Sequence, residues 1–317
     1  MGSGMTSLRL ANVVYANEPM IAIEHAGELL SVRALEERFA VDWSPARFTE
    51  QANEFRYRVF SLGMAGLEEI VECLGENAGP REAVLSRSRC LFRPPTVELP
   101  ALAEFSVLAE DDVPRFRWGN SRCLRGHEAP LPVPEDEPSP QLSVQVAAIL
   151  IEELHHAGVE ESARCIAGFA PLCLWSFPSR HRVSPGWGAF RLGQLGPCLL
   201  ANSDADPSRW DVTIRVNGQT VVQAQARPWR TSFPEMVALA SEAADLAPGD
   251  IIASGPLART SSDGRRSLRP GDEIEAEIGG LGLLSGVLVP SGEHSRFLDR
   301  GASDSTKAKT LPPRGME

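Results

Sequence analysis

Glu152, Glu153, His155 and His156 crowd a single short stretch of the chain. Carboxylates and imidazoles at that density have the composition of a metal site. The group nevertheless stands where an apolar, strand-like run gives way to a helical one, so it reads as a turn rather than as a metal site. A second pair, His127-Glu128, could transfer protons as acid and base, or simply occupy the turn "GHEAPLPVP" that carries it. His181 lies in the loop "PSRHRVSPG", where a histidine is either solvated or a general acid–base. The six cysteines (Cys73, Cys90, Cys123, Cys165, Cys173 and Cys198) share no CxxC spacing. They read as reduced, mostly buried thiols rather than as metal or redox groups. No Gly-x-Ser-x-Gly elbow and no Ser/His/Asp order supports a nucleophile.

What these groups do depends on the elements that position them. The 317 residues suffice for one large domain or two smaller ones. A composition of 43% hydrophobic and 23% charged residues is that of a soluble globular protein. The net charge of −11, with arginines scattered, argues against a nucleic-acid partner, whose phosphates need a Lys/Arg stripe. No apolar run approaches the roughly 18 residues of a membrane span. The start, "MGSGMTSLRL", lacks the apolar segment of a secretory signal; "MGSG" reads as an added leader, with Met5 the native start. A cytoplasmic protein is expected, acting on a small molecule, without membrane or nucleic acid.

Leu8 to about Val41 reads as a small β unit turning at His25-Ala26-Gly27-Glu28, followed by a helical pattern from about Pro45 to Leu74. The Pro-rich "FRPPTVELP" marks a boundary near residues 93–100. Beyond it, "VPRFRWGN", "LSVQVAAILI" and "CLLAN" read as strands and "GVEESARCIAGF" as a short helix. "VTIRVNGQTVVQA" is a hairpin around Asn217-Gly218. "SFPEMVALASEAADL" is an amphipathic helix feeding "LAPGDIIASG", and a second Pro-Gly-Asp follows in "LRPGDEIEAEIGGLGLLSGVLV". Each Pro-Gly-Asp should turn the chain into a strand, the two strands being consecutive elements of one β wall. The expected organisation is an N-terminal domain over 5–92, a β-rich domain over 93–290 and a polar, disordered tail over 291–317.

In order and spacing, "VPRFRWGNSRCLRGHEAPLPVP", "LSVQVAAILI", "IAGFAPL", "LGPCLLAN", "VTIRVNGQTV", "SFPEMVALAS" and the two Pro-Gly-Asp phrases resemble the fumarylacetoacetate hydrolase family over about residues 8–290. The resemblance implies a mostly β, α+β fold: a mixed β-sandwich roll with a small N-terminal α/β domain, usually a homodimer. It also implies a pocket at the mouth of the roll that binds Mg²⁺ or Mn²⁺ and a small β-keto or 2-oxo acid. Family reactions include C–C hydrolysis, decarboxylation, hydration and tautomerisation.

The chain departs from that pattern at the reacting positions. The resemblance places Ser143 and Gln145 where the family has two metal-binding glutamates, and Leu174 where it has an aspartate. Trp187 replaces a substrate-binding lysine, and Phe190 an aspartate. The stretch expected to hold a His–Glu lid, between "LAEF" and "VPRFRW", is only "SVLAEDD" (Ser106–Asp112). The expectation is therefore a site without metal or cofactor. Gln145, Arg191 and His181 would be its catalytic groups. Ser143, Leu174, Trp175, Trp187, Phe190 and Arg230 would bind substrate. The bland readings stay open: satisfied interior polar groups for Ser143 and Gln145, core packing for the tryptophans, a surface salt bridge for Arg191. The leading functional reading is metal-free cyclisation, rearrangement or lyase-type chemistry on a hydrophobic small molecule, as in secondary-metabolite pathways. The alternatives are a non-catalytic homologue, serving as binding protein or partner subunit, a conventional family-type hydrolase or decarboxylase of a 2-oxo or β-keto acid, and a hydrolase with relocated groups such as Asp111 or Asp112 with His181.

Overall fold

The computed structural model describes residues 7–41, 59–60, 65–75, 78–106, 114–181, 191–201, 205–206, 209–260 and 267–292. The first part supplies β1 (Arg9–Tyr15), β2 (Glu18–His25), β3 (Glu28–Ser31), α1 (Val32–Phe39), α2 (Ala65–Leu74), β4 (Val84–Leu85) and β5 (Leu91–Arg93). Then come β6 (Leu102–Phe105), β7 (Phe116–Trp118), β8 (Leu124–Arg125), β9 (Leu131–Val133), β10 (Gln141–Leu150), α3 (Val159–Arg164) and β11 (Ile166–Ser176). The remainder carries β12 (Leu192–Leu195), β13 (Cys198–Ala201), β14 (Val212–Val216), β15 (Gln219–Ala224), α4 (Phe233–Ala243), β16 (Ile251–Ala253), β17 (Ala258–Arg259), β18 (Glu273–Ile278) and β19 (Gly282–Pro290).

Turn chemistry explains much of this order. Asn217 (φ 51°) and Gly218 (φ 73°) are both left-handed, as a type I′ turn between β14 and β15 requires. Helix α4 opens on a capping box: Ser232 Oγ accepts from the Glu235 N–H, and Glu235 reaches back to the Ser232 N–H. Gly249 takes φ 91° in the first Pro-Gly-Asp turn. Asp250 then accepts the N–H groups of Ala101 (2.6 Å) and Ala247 (2.8 Å), tying the start of β16 to the approach to β6.

The long central strands β10 and β11 form the backbone of a 14-stranded sheet ordered β4-β3-β2-β1-β13-β11-β10-β16-β6-β7, with β5, β8, β12 and β17 alongside. A second sheet, β15-β14-β18-β19-β9, covers one face. Most pairings are antiparallel; β6–β16, β8–β12 and β9–β19 are parallel. The protein is thus mostly β with mixed sheets, as the sequence suggested. The Pro-rich boundary falls between β5 and β6, and across it β1 pairs with β13, so both parts share one sheet.

Two expectations change. The two Pro-Gly-Asp phrases do not build one wall: β16 lies in the large sheet and β18 in the small one. The helix read over "GVEESARCIAGF" stops at Arg164, and β11 starts at Ile166. A Cβ at Gly168 would stand 2.1 Å from the Leu200 carbonyl oxygen, so this glycine lets β13 close on β11 and fixes the segment as strand.

Side chains of β10 and β11 alternate between two cores. Leu142, Val144, Val146, Phe169, Cys173 and Trp175 pack between the sheets with Val212, Ile214, Ile274 and Leu284. Ala147, Ile149, Leu172 and Leu174 face the other way, into the core that includes Leu35 of α1 and Leu67 and Ile70 of α2.

Candidate functional site

Residues opposite each other in a β ladder share a face. The register pairs Ser143 with Leu174 and Gln145 with Leu172, and continues Leu174 to Gly193 on β12. Ser143, Gln145 and Leu174 therefore stand together on the face turned away from the second sheet. A further row on this face runs Ala147–Ala253–Glu104–Arg117 across β10, β16, β6 and β7.

The polar members of this face meet. Gln145, fully buried, donates from Nε2 to Glu104 Oε1 (2.6 Å) and to Ser143 Oγ (3.0 Å). Arg117 donates from Nε to Glu104 Oε2 (2.7 Å), with its Nη2 2.6 Å from the same oxygen. Glu104 is buried and Arg117 half exposed, so the carboxylate is neutralised by one short ion pair at the edge of the interior. The two bonds from Nε2 fix the amide, and Gln145 Oε1 is left buried without a hydrogen-bond donor. Ser143 Oγ receives the Gln145 proton, which leaves its own O–H to point elsewhere. On the other side of Ser143 lies Arg259 of β17, directly opposite in register and exposed.

Glu104, Arg117 and Arg259 were not among the residues picked from the sequence. A signal existed: Glu104 in "ALAEF" and Arg117 in "RFRW" are charged residues inside short apolar strand-like runs. That they meet depends on the β6–β7 and β6–β16 pairings, which local pattern does not specify.

The other predicted residues are placed differently. Trp175 is fully buried on the opposite face of β11, within the core between the sheets, with its Nε1 unpartnered. The structure does not bring it together with Ser143 and Gln145; it lies next to Leu174 in sequence, and one residue reverses the face. His181 is exposed and its Nε2 is 3.0 Å from Ser176 Oγ. Ser176 pairs with Gln141, so His181 touches the same face as Ser143 but nearer the strand end. Its turn is held by buried Arg180, paired with Asp136 and Glu137. Arg191 is exposed at the start of β12, beside β11. Arg230 is exposed between β15 and α4, next to Trp229, which packs against Trp210 and Phe233 and so belongs to the other core. Trp187 and Phe190 lie outside the described residues, as do Asp111, Asp112 and most of the expected lid stretch.

The remaining sequence candidates are separate from this face. His155 pairs with Asp245 on the surface, at the turn between β10 and α3. His127 is buried, accepts the Ser285 N–H at Nδ1 (3.2 Å) and places Nε2 3.4 Å from Glu128. Burial holds its pKa below the ordinary 6.5, against the pull of Glu128. Of the cysteines, Cys123, Cys165, Cys173 and Cys198 are buried. Burial pushes the Cys173 thiol up to about 12, so it is inert as a nucleophile.

The donor set does not fit a hard divalent cation. Mg²⁺ and Mn²⁺ take oxygen ligands, carboxylates foremost. Leu174 offers none, Ser143 offers a neutral hydroxyl, and Glu104 already has both oxygens engaged by Gln145 and Arg117. Leu174 also fills space: a Cβ on Gly193 would come within 2.9 Å of both the Leu174 and Leu124 side chains. Among the described residues, no group of three or more His, Cys, Asp or Glu is arranged to hold a metal. What the cluster can do is hold a carbonyl or carboxylate oxygen with the Ser143 hydroxyl and guanidinium groups.

The comparisons agree with this scaffold. An uncharacterised protein of Pyrococcus abyssi is 33% identical over 107 residues, 34% of this chain and 44% of that protein. Oxaloacetate tautomerase YisK of Bacillus subtilis is 34% identical over 94 residues, covering 29% of this chain and 31% of the relative. The chain thus matches less than half the length of these curated relatives. In structure it is similar to maleylpyruvate hydrolase from Sphingobium sp. SYK-6, with TM-score 0.66 and 20% identity over 89% of this chain and 99% of that one. It is also similar to a 2-hydroxyhepta-2,4-diene-1,7-dioate isomerase from Mycobacterium marinum, with TM-score 0.65 and 14% identity over 90% and 100% of the two chains. The model of the fumarylacetoacetate (FAA) hydrolase C-terminal domain matches residues 100–289, and with this span, which includes β6 through most of β19, the chain belongs to the fumarylacetoacetate hydrolase family.

Proposed function

We propose that this protein is a metal-independent member of its family that holds a largely apolar, carbonyl-bearing small molecule against the Ser143–Gln145 face and promotes its cyclisation, rearrangement or lyase-type cleavage. One observation carries the reading: the aliphatic Leu174, at the position where the resemblance implies a metal-binding aspartate, faces Ser143, and Glu104 on that face is bound to Arg117 and Gln145. In this reading the Ser143 hydroxyl and Arg117 stabilise a developing oxyanion, and Glu104 holds Arg117 and the Gln145 amide in place. The tautomerase, isomerase and hydrolase names among relatives and structural neighbours support an enzyme over a purely structural role.

A second reading, a non-catalytic binding protein or partner subunit, is favoured by the complete burial of Gln145 and by Leu124 and Leu174 closing over Gly193. A panel of apolar 1,3-diketones and 2-oxo acids, screened by thermal shift and mass spectrometry with EDTA present, separates the readings. The proposal expects a chelator-resistant stabilisation, product formation, and loss of both in Ser143→Ala. Stabilisation without any product supports the second reading. Turnover that requires added Mn²⁺ overturns the first.

A further inference from the structure

A pocket of about 290 Å³ lies where β1, the end of β5, the segment leading to β6 and the turn at Ser121 meet. Its lining is distinct from the Ser143–Gln145 cluster, which it approaches through Leu124. Asn12, Arg93, Glu98 and Ser121 are its polar lining; Val97 and Leu124 are apolar. Asn12 is 3% exposed and its Nδ2 donates to the Pro94 carbonyl (3.0 Å), which fixes the amide and leaves Oδ1 as an acceptor without a partner among the described residues. Arg93 and Glu98 line one cavity, yet they form no ion pair with each other or with another described residue. By contrast, the Thr96 hydroxyl is committed to the Gly249 carbonyl.

The geometry points to a binding site for a small zwitterion, an α-amino acid whose carboxylate meets Arg93, whose ammonium meets Glu98 and the Asn12 side-chain oxygen, and whose aliphatic side chain lies on Val97 and Leu124. The volume is at the lower end of ligand pockets, which suits an amino acid and is small for a nucleotide. One cation opposed by one anion suits a neutral zwitterion better than a phosphate, which Glu98 would repel. Leu124 also roofs Gly193 beside Leu174, so the pocket shares a wall with the Ser143–Gln145 face. An occupant would brace the seam between the N-terminal strands and the rest of the large sheet. This assignment does not rest on the metal-free chemistry proposed above.

Titration calorimetry of the full chain with L-leucine tests this, with N-acetyl-L-leucine lacking the ammonium and L-leucinamide lacking the carboxylate. The expected result is saturable one-to-one binding of L-leucine, weakened about ten- to a hundredfold by either block, the range of a lost charged hydrogen bond. Arg93→Gln should erase the penalty on L-leucinamide, and Glu98→Gln that on N-acetyl-L-leucine. Both residues are exposed, so the variants should fold, and unchanged melting temperatures would verify it. Ser143→Ala should bind L-leucine as the parent does. No binding of L-leucine, equal binding of its blocked forms, or indifference to both charge variants would each overturn the assignment.

Discussion

The two faces of the β10–β11 ladder are made from the same two strands and differ in character around Ser143 and Gln145. Toward the second sheet, Leu142, Val144, Val146, Cys173 and Trp175 form a closed apolar core. Away from it, Ser143 and Gln145 join Glu104 and Arg117 in a short polar chain, with Leu174 at its side. Shape on the first face is set by dense packing, which tolerates little change. Most of the second face, through Ala147, Ile149, Leu172 and Leu174, belongs to the other apolar core. Its Ser143 end is fixed by a few hydrogen bonds around one ion pair, so the chemistry of that end can be rewritten while the scaffold persists. That contrast explains how the chain keeps its family fold with a donor set unsuited to a divalent cation.

The comparison is sharpest at Trp175. Trp175→Ala should lower unfolding stability by about 3–5 kcal/mol, as for other large core truncations, read by urea denaturation. A loss under about 1 kcal/mol, joined to loss of ligand binding, would move Trp175 to the other face and break the comparison.

Next in size is Glu104→Ala. It strands the Gln145 amide and the Arg117 guanidinium, and should cost roughly 2–3 kcal/mol. Combining it with Arg117→Gln should cost less than the sum of the two, because they act on one pair.

The two Pro-Gly-Asp turns give a smaller contrast within the scaffold. Buried Asp250 accepts two backbone N–H groups, one from the distant Ala101, whereas Asp272 accepts its backbone bond from Arg269, within its own turn. Asp250→Ala should cost about 1.5–2 kcal/mol and Asp272→Ala about 0.5–1 kcal/mol in parallel melts.

The mildest effect concerns His127, which burial and Arg87 keep below its ordinary pKa of 6.5 while Glu128 and Glu24 pull it upward. The unfolded chain takes the proton more readily. The His127 contribution to stability is therefore complete above about 6.5 and is lost as pH falls below it, toward the lower folded value. Stability curves between pH 8 and pH 5 should be flatter for His127→Gln than for the parent.

The sequence revealed the scaffold because its signals were local. Asn217-Gly218, the Ser232–Glu235 capping box and the alternation in "LSVQVAAILI" each specify their element from a few neighbouring residues. The same alternation put Ser143 and Gln145 on one face, and the register then set Leu174 beside them. Long-range pairing was illegible. Nothing near Glu104 announces Arg117 or Gln145, since β6 reaches β10 only through β16. Nor does anything in the second Pro-Gly-Asp say that its strand joins the other sheet. Trp175 was misplaced by a single step of strand alternation.

The most direct test of the central claim is elemental analysis of the purified protein combined with calorimetric titration of Mg²⁺ and Mn²⁺ at neutral pH. The account predicts no stoichiometric metal and no saturable heat. Stoichiometric metal, or saturable binding that Ser143→Ala or Gln145→Ala weakens, would contradict it and return the protein to the cation-dependent chemistry of its family.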